Sequence, residues 1–104
     1  MVLYVRKYDI RPEKAEEFAE WAKSVRNRMF AVPGIVELRA YRPATGNRQV
    51  VVTYEFADMS AWAAWQSNED IRKLGEEART YITNVSAELW GPSPIIPEPV
   101  RSGQ

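Results

Sequence analysis

The sequence has neither cysteine nor histidine among its 104 residues. Without cysteine there is no disulfide, no thiolate nucleophile, no zinc thiolate site and no iron–sulfur ligation. Without histidine there is no Ser-His-Asp relay, no HExxH zinc site and no proximal imidazole for haem. Any catalysis falls to carboxylates, Tyr, Lys, Arg, Asn or a bound reagent, and no metal and no cofactor are expected. The 14 Lys and Arg cancel the 14 Asp and Glu. A chain with no basic excess has little pull toward phosphate backbones or anionic lipid, so neither a nucleic acid nor a membrane is expected as a partner. Nowhere is there a run of about 18 apolar residues, the least that spans a bilayer. Met1 to Arg6 lacks the charged leader and cleavage site of a signal peptide, and the expected location is cytoplasmic. With 45% hydrophobic and 27% charged residues, the composition fits one small soluble domain with a single core.

Val2 to Asp9 alternates Leu3 and Val5 with Tyr4, Arg6 and Tyr8, the period of a strand. Pro12 sits where a first helical turn tolerates it, ahead of Glu13, Glu16 and Glu17 at the positive end of the helix dipole. The stripe Ala15, Phe18, Ala22, Val25 and Met29, with Trp21 beside it, predicts a helix that ends before Val32-Pro33-Gly34. Ile35 to Arg42 and Gln49 to Phe56 alternate again and predict a hairpin. Asp58 and Ser60 cap a second helix that Ser67-Asn68 interrupts, and its longer part, through Ile71, Leu74, Ala78, Tyr81 and Ile82, runs to about Thr83. Val85, Ala87 and Leu89 mark a fourth strand before Gly91-Pro92. Residues 1–91 thus form one domain, and 92–104, with Pro94, Pro97 and Pro99, form a proline-rich tail.

The order βαββαβ predicts an α+β, ferredoxin-like fold: a four-stranded antiparallel sheet with two helices on one face. Leu3, Val5, Val36, Leu38, Ala40, Val50, Val52, Tyr54, Phe56, Val85, Ala87 and Leu89 are expected to face the helices. The opposite face would carry Tyr4, Arg6, Tyr8, Glu37, Arg39, Tyr41, Gln49, Val51, Thr53, Glu55, Glu88 and Trp90. Aromatics and arginine are what interfaces enrich, so this face predicts a homodimer formed through Tyr4, Arg6, Arg39, Tyr41 and Trp90.

With this pattern, the stretch from Tyr54-Glu55-Phe56 through Asp58, Ser60, Trp62 and Trp65 to Ser67 resembles the dimeric α+β barrel superfamily, and within it the antibiotic biosynthesis monooxygenase group. Haem-degrading members of that superfamily carry an asparagine on the first strand and a histidine ten residues after a helical tryptophan. Here Trp65 matches the tryptophan, the first strand has no asparagine, and Gly75 stands at the histidine's place. What the resemblance implies instead is a cofactor-independent monooxygenase whose aromatic or polyketide-like substrate supplies its own carbanion to oxygen. Trp62, Trp65, Trp21 and Arg72 would bind the substrate, Tyr54 or Tyr81 would handle the proton, and Asn68 would orient an oxygen. Each has a plainer role open to it: the tryptophans and tyrosines as core, and Asn68 as the cap of the second helical piece. Gly75, costly inside a helix by about 1 kcal/mol against alanine, signals either close packing or room for a ligand. Two other readings stand beside the oxygenase. One is a non-catalytic dimeric module that binds a hydrophobic ligand or serves in assembly. The other is a small-ring isomerase or cyclase with Glu88 or Glu55 as base.

Overall fold

The computed structural model describes residues 1–103. Among the described residues four strands and three helices follow one another: β1 (Val2–Ile10), α1 (Ala15–Phe30), β2 (Ile35–Tyr41), β3 (Val50–Phe56), α2 (Met59–Ser67), α3 (Glu69–Ala78) and β4 (Ile82–Trp90). A single 3-10 turn, Pro12–Lys14, precedes α1, because proline fixes the backbone for a first turn and offers no N–H. The sheet is antiparallel throughout, in the order β2-β3-β1-β4. This is the ferredoxin-like α+β fold. The second helix is in two pieces, as the Ser67-Asn68 break implied. The carboxamide of Asn68 accepts the backbone N–H of Asp70 at 2.8 Å and of Ile71 at 3.4 Å, so α3 starts on its own cap. Asp58 caps α2 in the same way, accepting from Ala61 N at 2.8 Å.

Three expectations need correction. The helix stops at Ala78 rather than near Thr83, and Tyr81 and Ile82 belong to the return into β4. Tyr81 offers its carbonyl to Arg11 N at 2.8 Å, which draws this stretch away from helical pairing. Val36 does not face the helices either. The β2–β3 register shifts between Ile35 and Glu37, and Val36 in that irregularity is 59% exposed.

The largest correction concerns β1. Opposite Val2, Tyr4, Arg6 and Tyr8 stand Phe56, Tyr54, Val52 and Val50 of β3, and cross-strand partners share a face. Tyr4, Arg6 and Tyr8 therefore look toward the helices, while Leu3 and Val5 look away from them beside Glu55 and Thr53. Both faces of β1 carry large apolar groups, so period two alone could not say which one turns inward.

The core lies between sheet and helices, built from Val2, Tyr8, Val52, Tyr54 and Phe56 of the sheet against Val25, Trp65, Ile71, Leu74 and Ala78. Gly34 permits the close approach of the β2 entry to this core. Its φ is +138°, and a Cβ there would lie 3.4 Å from both the Phe56 ring and the Trp65 Cβ. At the other end of the sheet, a register shift between Lys7 and Asp9 accompanies Asn84 at φ +55°. The Asp9 carboxylate ties that irregularity down by accepting from Gln49 N at 2.9 Å and Asn84 Nδ2 at 3.0 Å. Ile95, Ile96 and Val100 of the proline-rich segment are exposed. Among the described residues no helix is long and apolar enough to cross a membrane.

Candidate active site

A cavity of about 910 Å³ opens between the helices and the sheet. Its floor is the helix-facing side of the sheet: Tyr4, Arg6 and Tyr8 of β1, Val50, Val52 and Tyr54 of β3, Leu38 and Ala40 of β2, and Val85 and Ala87 of β4. Phe18, Trp21, Ala22 and Val25 of α1 form one wall, and Trp65 of α2 with Ile71, Arg72, Leu74 and Gly75 of α3 form the other. Alanines at the two edges of the floor and the glycine in α3 take up little of the space. A Cβ at Gly75 would meet nothing within 4 Å, which decides between its two readings: the glycine leaves room rather than allowing close packing.

Of the residues singled out from sequence, the cavity gathers Tyr54, Trp65, Trp21 and Arg72. Trp62 packs on Tyr4, ring centroids 5.8 Å apart, and lies outside the lining. Tyr81 is also outside, behind the wall, with its ring 5.2 Å from Trp21 and 6.3 Å from Phe18. Asn68 is away from the cavity and its side-chain oxygen is occupied by the α3 cap. Glu88 and Glu55 point to the opposite face of the sheet. There Glu88 meets Lys7 at 3.7 Å and accepts the Trp90 indole N–H at 3.1 Å, so neither carboxylate can serve as a base inside the cavity.

The alternation along β1 predicts Arg6, Tyr4 and Tyr8 on the dimer face, yet they lie on the cavity floor and give it polar groups. The one available signal was the spacing of two that keeps all three on a single face, whichever face that was. Tyr54 is 5% exposed, and its ring lies 5.7 Å from Tyr4 and 5.6 Å from Trp65. Burial pushes its hydroxyl up to about 12, and the Arg6 guanidinium, as a charge and as a hydrogen-bond donor, pulls back only part of that rise. Burial raises Tyr8 as well, again against the charge of Arg6. Both phenols are therefore neutral at physiological pH. They can donate a hydrogen bond to an oxyanion, but they are poor bases.

The aromatic wall is held from outside. Trp21 Nε1 donates to Glu77 Oε1 at 3.0 Å, and Arg28 grips the same carboxylate with two bonds of 2.9 and 2.6 Å, joining α1 to α3. Arg28 and Trp21 together hold the Glu77 carboxyl down at about 2. Trp65, at 3% exposure, rests on Phe56 with centroids 5.4 Å apart. The indole N–H groups of Trp62 and Trp65 are buried without an acceptor among the described residues, so packing alone sets those two rings.

The family description of the antibiotic biosynthesis monooxygenases matches residues 1–77, which takes in β1 through nearly all of α3. The chain belongs to the antibiotic biosynthesis monooxygenase family. Solved structures similar to this family member share its fold at low identity. SnoaB, a cofactor-independent oxygenase from Streptomyces nogalater, superposes with a TM-score of 0.70 at 18% identity over 93% of this chain and 97% of its own. HapK from Hahella chejuensis gives 0.75 at 15% over 99% and 100%, and a DABB family protein with a ferredoxin-like fold from Mesorhizobium loti gives 0.76 at 11% over 88% and 96%. No curated protein matches the monooxygenase-family chain by sequence.

Proposed function

We propose that the chain is a cofactor-independent oxygenase that converts a flat phenolic or polyketide-like ring system to a quinone inside the helix–sheet cavity. The observation that carries this reading is the cavity itself: aromatic walls from Trp21, Phe18 and Trp65 around a floor that places one cation and two neutral phenols together. Flat walls favour a flat ligand by stacking. The floor favours whichever state of that ligand has most negative charge on oxygen, and in this chemistry that is the enolate or phenolate formed when a ring CH2 loses a proton.

The step balances without a cofactor. The substrate CH2 gives up one proton to water at the open mouth, and its carbanion donates an electron pair to O2, forming a C–O bond. The peroxide takes up a proton. Loss of the second C–H proton then breaks the O–O bond, leaving a ring C=O and one molecule of water. Arg6 and the Tyr54 hydroxyl lower the cost of the first ionisation, and the hydroxyl remains protonated throughout. Trp21, Trp65 and Arg72 hold the rings. Trp62, Tyr81 and Asn68 act one layer out: Trp62 behind Tyr4, Tyr81 behind Trp21, and Asn68 at the start of α3.

An anthrone supplied in air provides the test. Oxygen uptake by the purified protein is expected to exceed the protein-free rate by at least about 100-fold, the scale of one well-placed oxyanion donor. Binding of the anthrone with uptake no faster than background would favour the non-catalytic ligand-binding reading instead.

The same reading includes a homodimer through the open sheet face, now with Leu3 joining Arg39, Tyr41 and Trp90 in place of Tyr4 and Arg6. Tyr41 and Trp90 at the rims of that face are 48% and 45% exposed, while Val5 at its middle is already covered by its own chain at 1% exposure. Arg39 bonds Glu37 at 2.6 Å along its own strand, which prepares a charge-neutral rim. Light scattering is expected to give twice the 12.0 kDa of one chain. A monomeric mass would remove the dimer without touching the cavity.

A further inference from the structure

The large apolar side chains left in water gather at one end of the fold. Val2 of β1 faces Phe56 of β3, Phe56 faces Ile35 of β2, and Leu3 faces Trp90 of β4, so β1 and β2 begin where β3 and β4 end. The last residue of α1, Phe30, comes shortly before β2, and the first of α2, Met59, shortly after β3, which brings both helix ends to the same place. Met1, Phe30, Val36, Met59 and Trp90 are all exposed there, at 45% or more. Outside the C-terminal segment, only Tyr41 and Val85 are exposed large apolar groups elsewhere among the described residues. Clustered apolar surface of this kind marks a contact site, whereas single scattered residues do not.

The C-terminal segment leaves from the same end, directly after Trp90. Its Ile95 is 87% exposed and its Val100 76%, so the segment does not cover the patch on its own chain. The Cα radius of gyration is 15.1 Å where a compact chain of this length has roughly 13 Å, as expected when a segment stands off the domain. The segment is nonetheless shaped. Pro92, Pro94, Pro97 and Pro99 restrict its backbone, and the Ser93 hydroxyl accepts Ile95 N at 3.1 Å and Ile96 N at 3.2 Å. A segment restricted in advance loses less entropy on docking. Every copy of the chain carries both the patch and the segment, which is the condition for an isologous contact in which each copy gives what the other takes.

We propose that residues 92–103 are an exchanged arm: in the homodimer, Ile95 and Ile96 of one chain cover the exposed apolar end of its partner around Val36, and the partner's arm returns the contact. The exchange rests on the homodimer through the open sheet face and on nothing in the cavity. The sheet order β2-β3-β1-β4 gives the arm its landing point. A two-fold axis between the two sheets and parallel to their strands lays the β4 edge of one chain over the β2 edge of the other and keeps corresponding ends together. The arm then leaves β4 opposite the start of the partner's β2, the place of Val36. At about 3.1 Å per residue, the stretch from Gly91 to Ile95 reaches about 15 Å, more than the roughly 10 Å between packed sheets.

Sedimentation of the full chain over a dilution series reads what the arm contributes. Ile95→Glu combined with Ile96→Glu is expected to raise the dimer dissociation constant about 100-fold, about tenfold for each isoleucine taken out of an apolar contact. The fold of each chain should be unaffected, since both side chains are in water there. Val36→Glu, on the receiving side, should weaken the dimer about tenfold and add little to the arm variant, because the two remove the same contact. The chain has no cysteine of its own, so an introduced disulfide reads the contact directly. Full-length Ile95→Cys and Val36→Cys chains, mixed in equal amounts and mildly oxidised, should yield pairs linked between those two positions, identified by peptide mass, in excess of like-with-like pairs. A dissociation constant within about twofold of wild type in the arm variant overturns the exchange and leaves the sheet dimer standing. A disulfide that closes within single chains carrying both cysteine substitutions, and never between chains, also overturns it, because the arm then folds back on its own sheet. A wild-type protein that is monomeric throughout the series removes the dimer and the exchange together.

Discussion

Tyr54→Phe is expected to slow anthrone-dependent oxygen consumption by roughly 100-fold or more, the loss that follows removal of a single donor to a developing oxyanion. The ring, and so the packing on Tyr4 and Trp65, is retained. Only the O–H is removed. Its acidity says what that O–H does: burial holds the group at about 12, so at neutral pH it is a donor with its proton in place. The rate should accordingly show no limb between pH 6 and 9 that vanishes in Tyr54→Phe. Stability carries the opposite end of the same signature. Below pH 10 the phenol is protonated in both folded and unfolded chains and contributes no pH dependence. Between about 10 and 12 the unfolded chain ionises while the folded one does not, so wild-type stability falls by about 1.4 kcal/mol per pH unit relative to Tyr54→Phe. Urea unfolding of the two proteins at pH 9 and at pH 11 reads this difference. An unchanged rate in Tyr54→Phe would remove the residue from the chemistry and leave it as core.

Phe56→Ala should have the largest effect on stability, a loss of about 3 to 5 kcal/mol out of the 5 to 15 that a domain of this size typically has. Phe56 is fully buried, at 0% exposure, at the end of the central strand β3. It faces Val2 across β1 and Ile35 across β2, and its ring supports Trp65. A Cβ at Gly34 would come within 3.4 Å of the same ring. The backbone of two strands and one helix meets there, so the surroundings have little freedom to collapse into the vacated volume, the condition under which a large-to-small change costs most. Denaturant titration measures the loss. A cost below about 1 kcal/mol would mean that this corner of the core repacks freely, contrary to the contact that Trp65 makes with it. Because Trp65 lines the cavity from this support, the variant should also lose affinity for a ring ligand.

The elements themselves were legible along the chain because each is marked locally. Pro12, the acidic first turns, the Asp58 and Asn68 caps and the Pro33-Gly34 turn all act within a few residues, and the strands of the hairpin alternate cleanly. Tyr81 and Ile82 were misplaced for the converse reason. They continue the apolar spacing of α3, and only the pairing of β4 with β1, with the Arg11 bond to the Tyr81 carbonyl, takes them out of the helix. The site was less legible. Trp21, Trp65, Tyr54 and Arg72, which line the cavity, stand out in the sequence as aromatic and basic residues at helical or strand spacing, whereas the alternation along β1 predicts Arg6 on the opposite side of the sheet from the cavity floor where it lies.

The sequence by itself determined a small, charge-balanced ferredoxin-like domain in which neither a thiolate nor an imidazole can take part in chemistry, since residue types and local spacing settle those points. Only the tertiary structure decided which way β1 faces. A strand with Tyr4, Arg6 and Tyr8 on one side and Leu3, Val5 and Lys7 on the other can bury either side, and the choice is made by non-local partners. Pairing Tyr4 with Tyr54 and Val2 with Phe56 joins the aromatic side of β1 to the aromatic side of β3 beneath the helices. That register puts Arg6 on the cavity floor, without a carboxylate partner among the described residues.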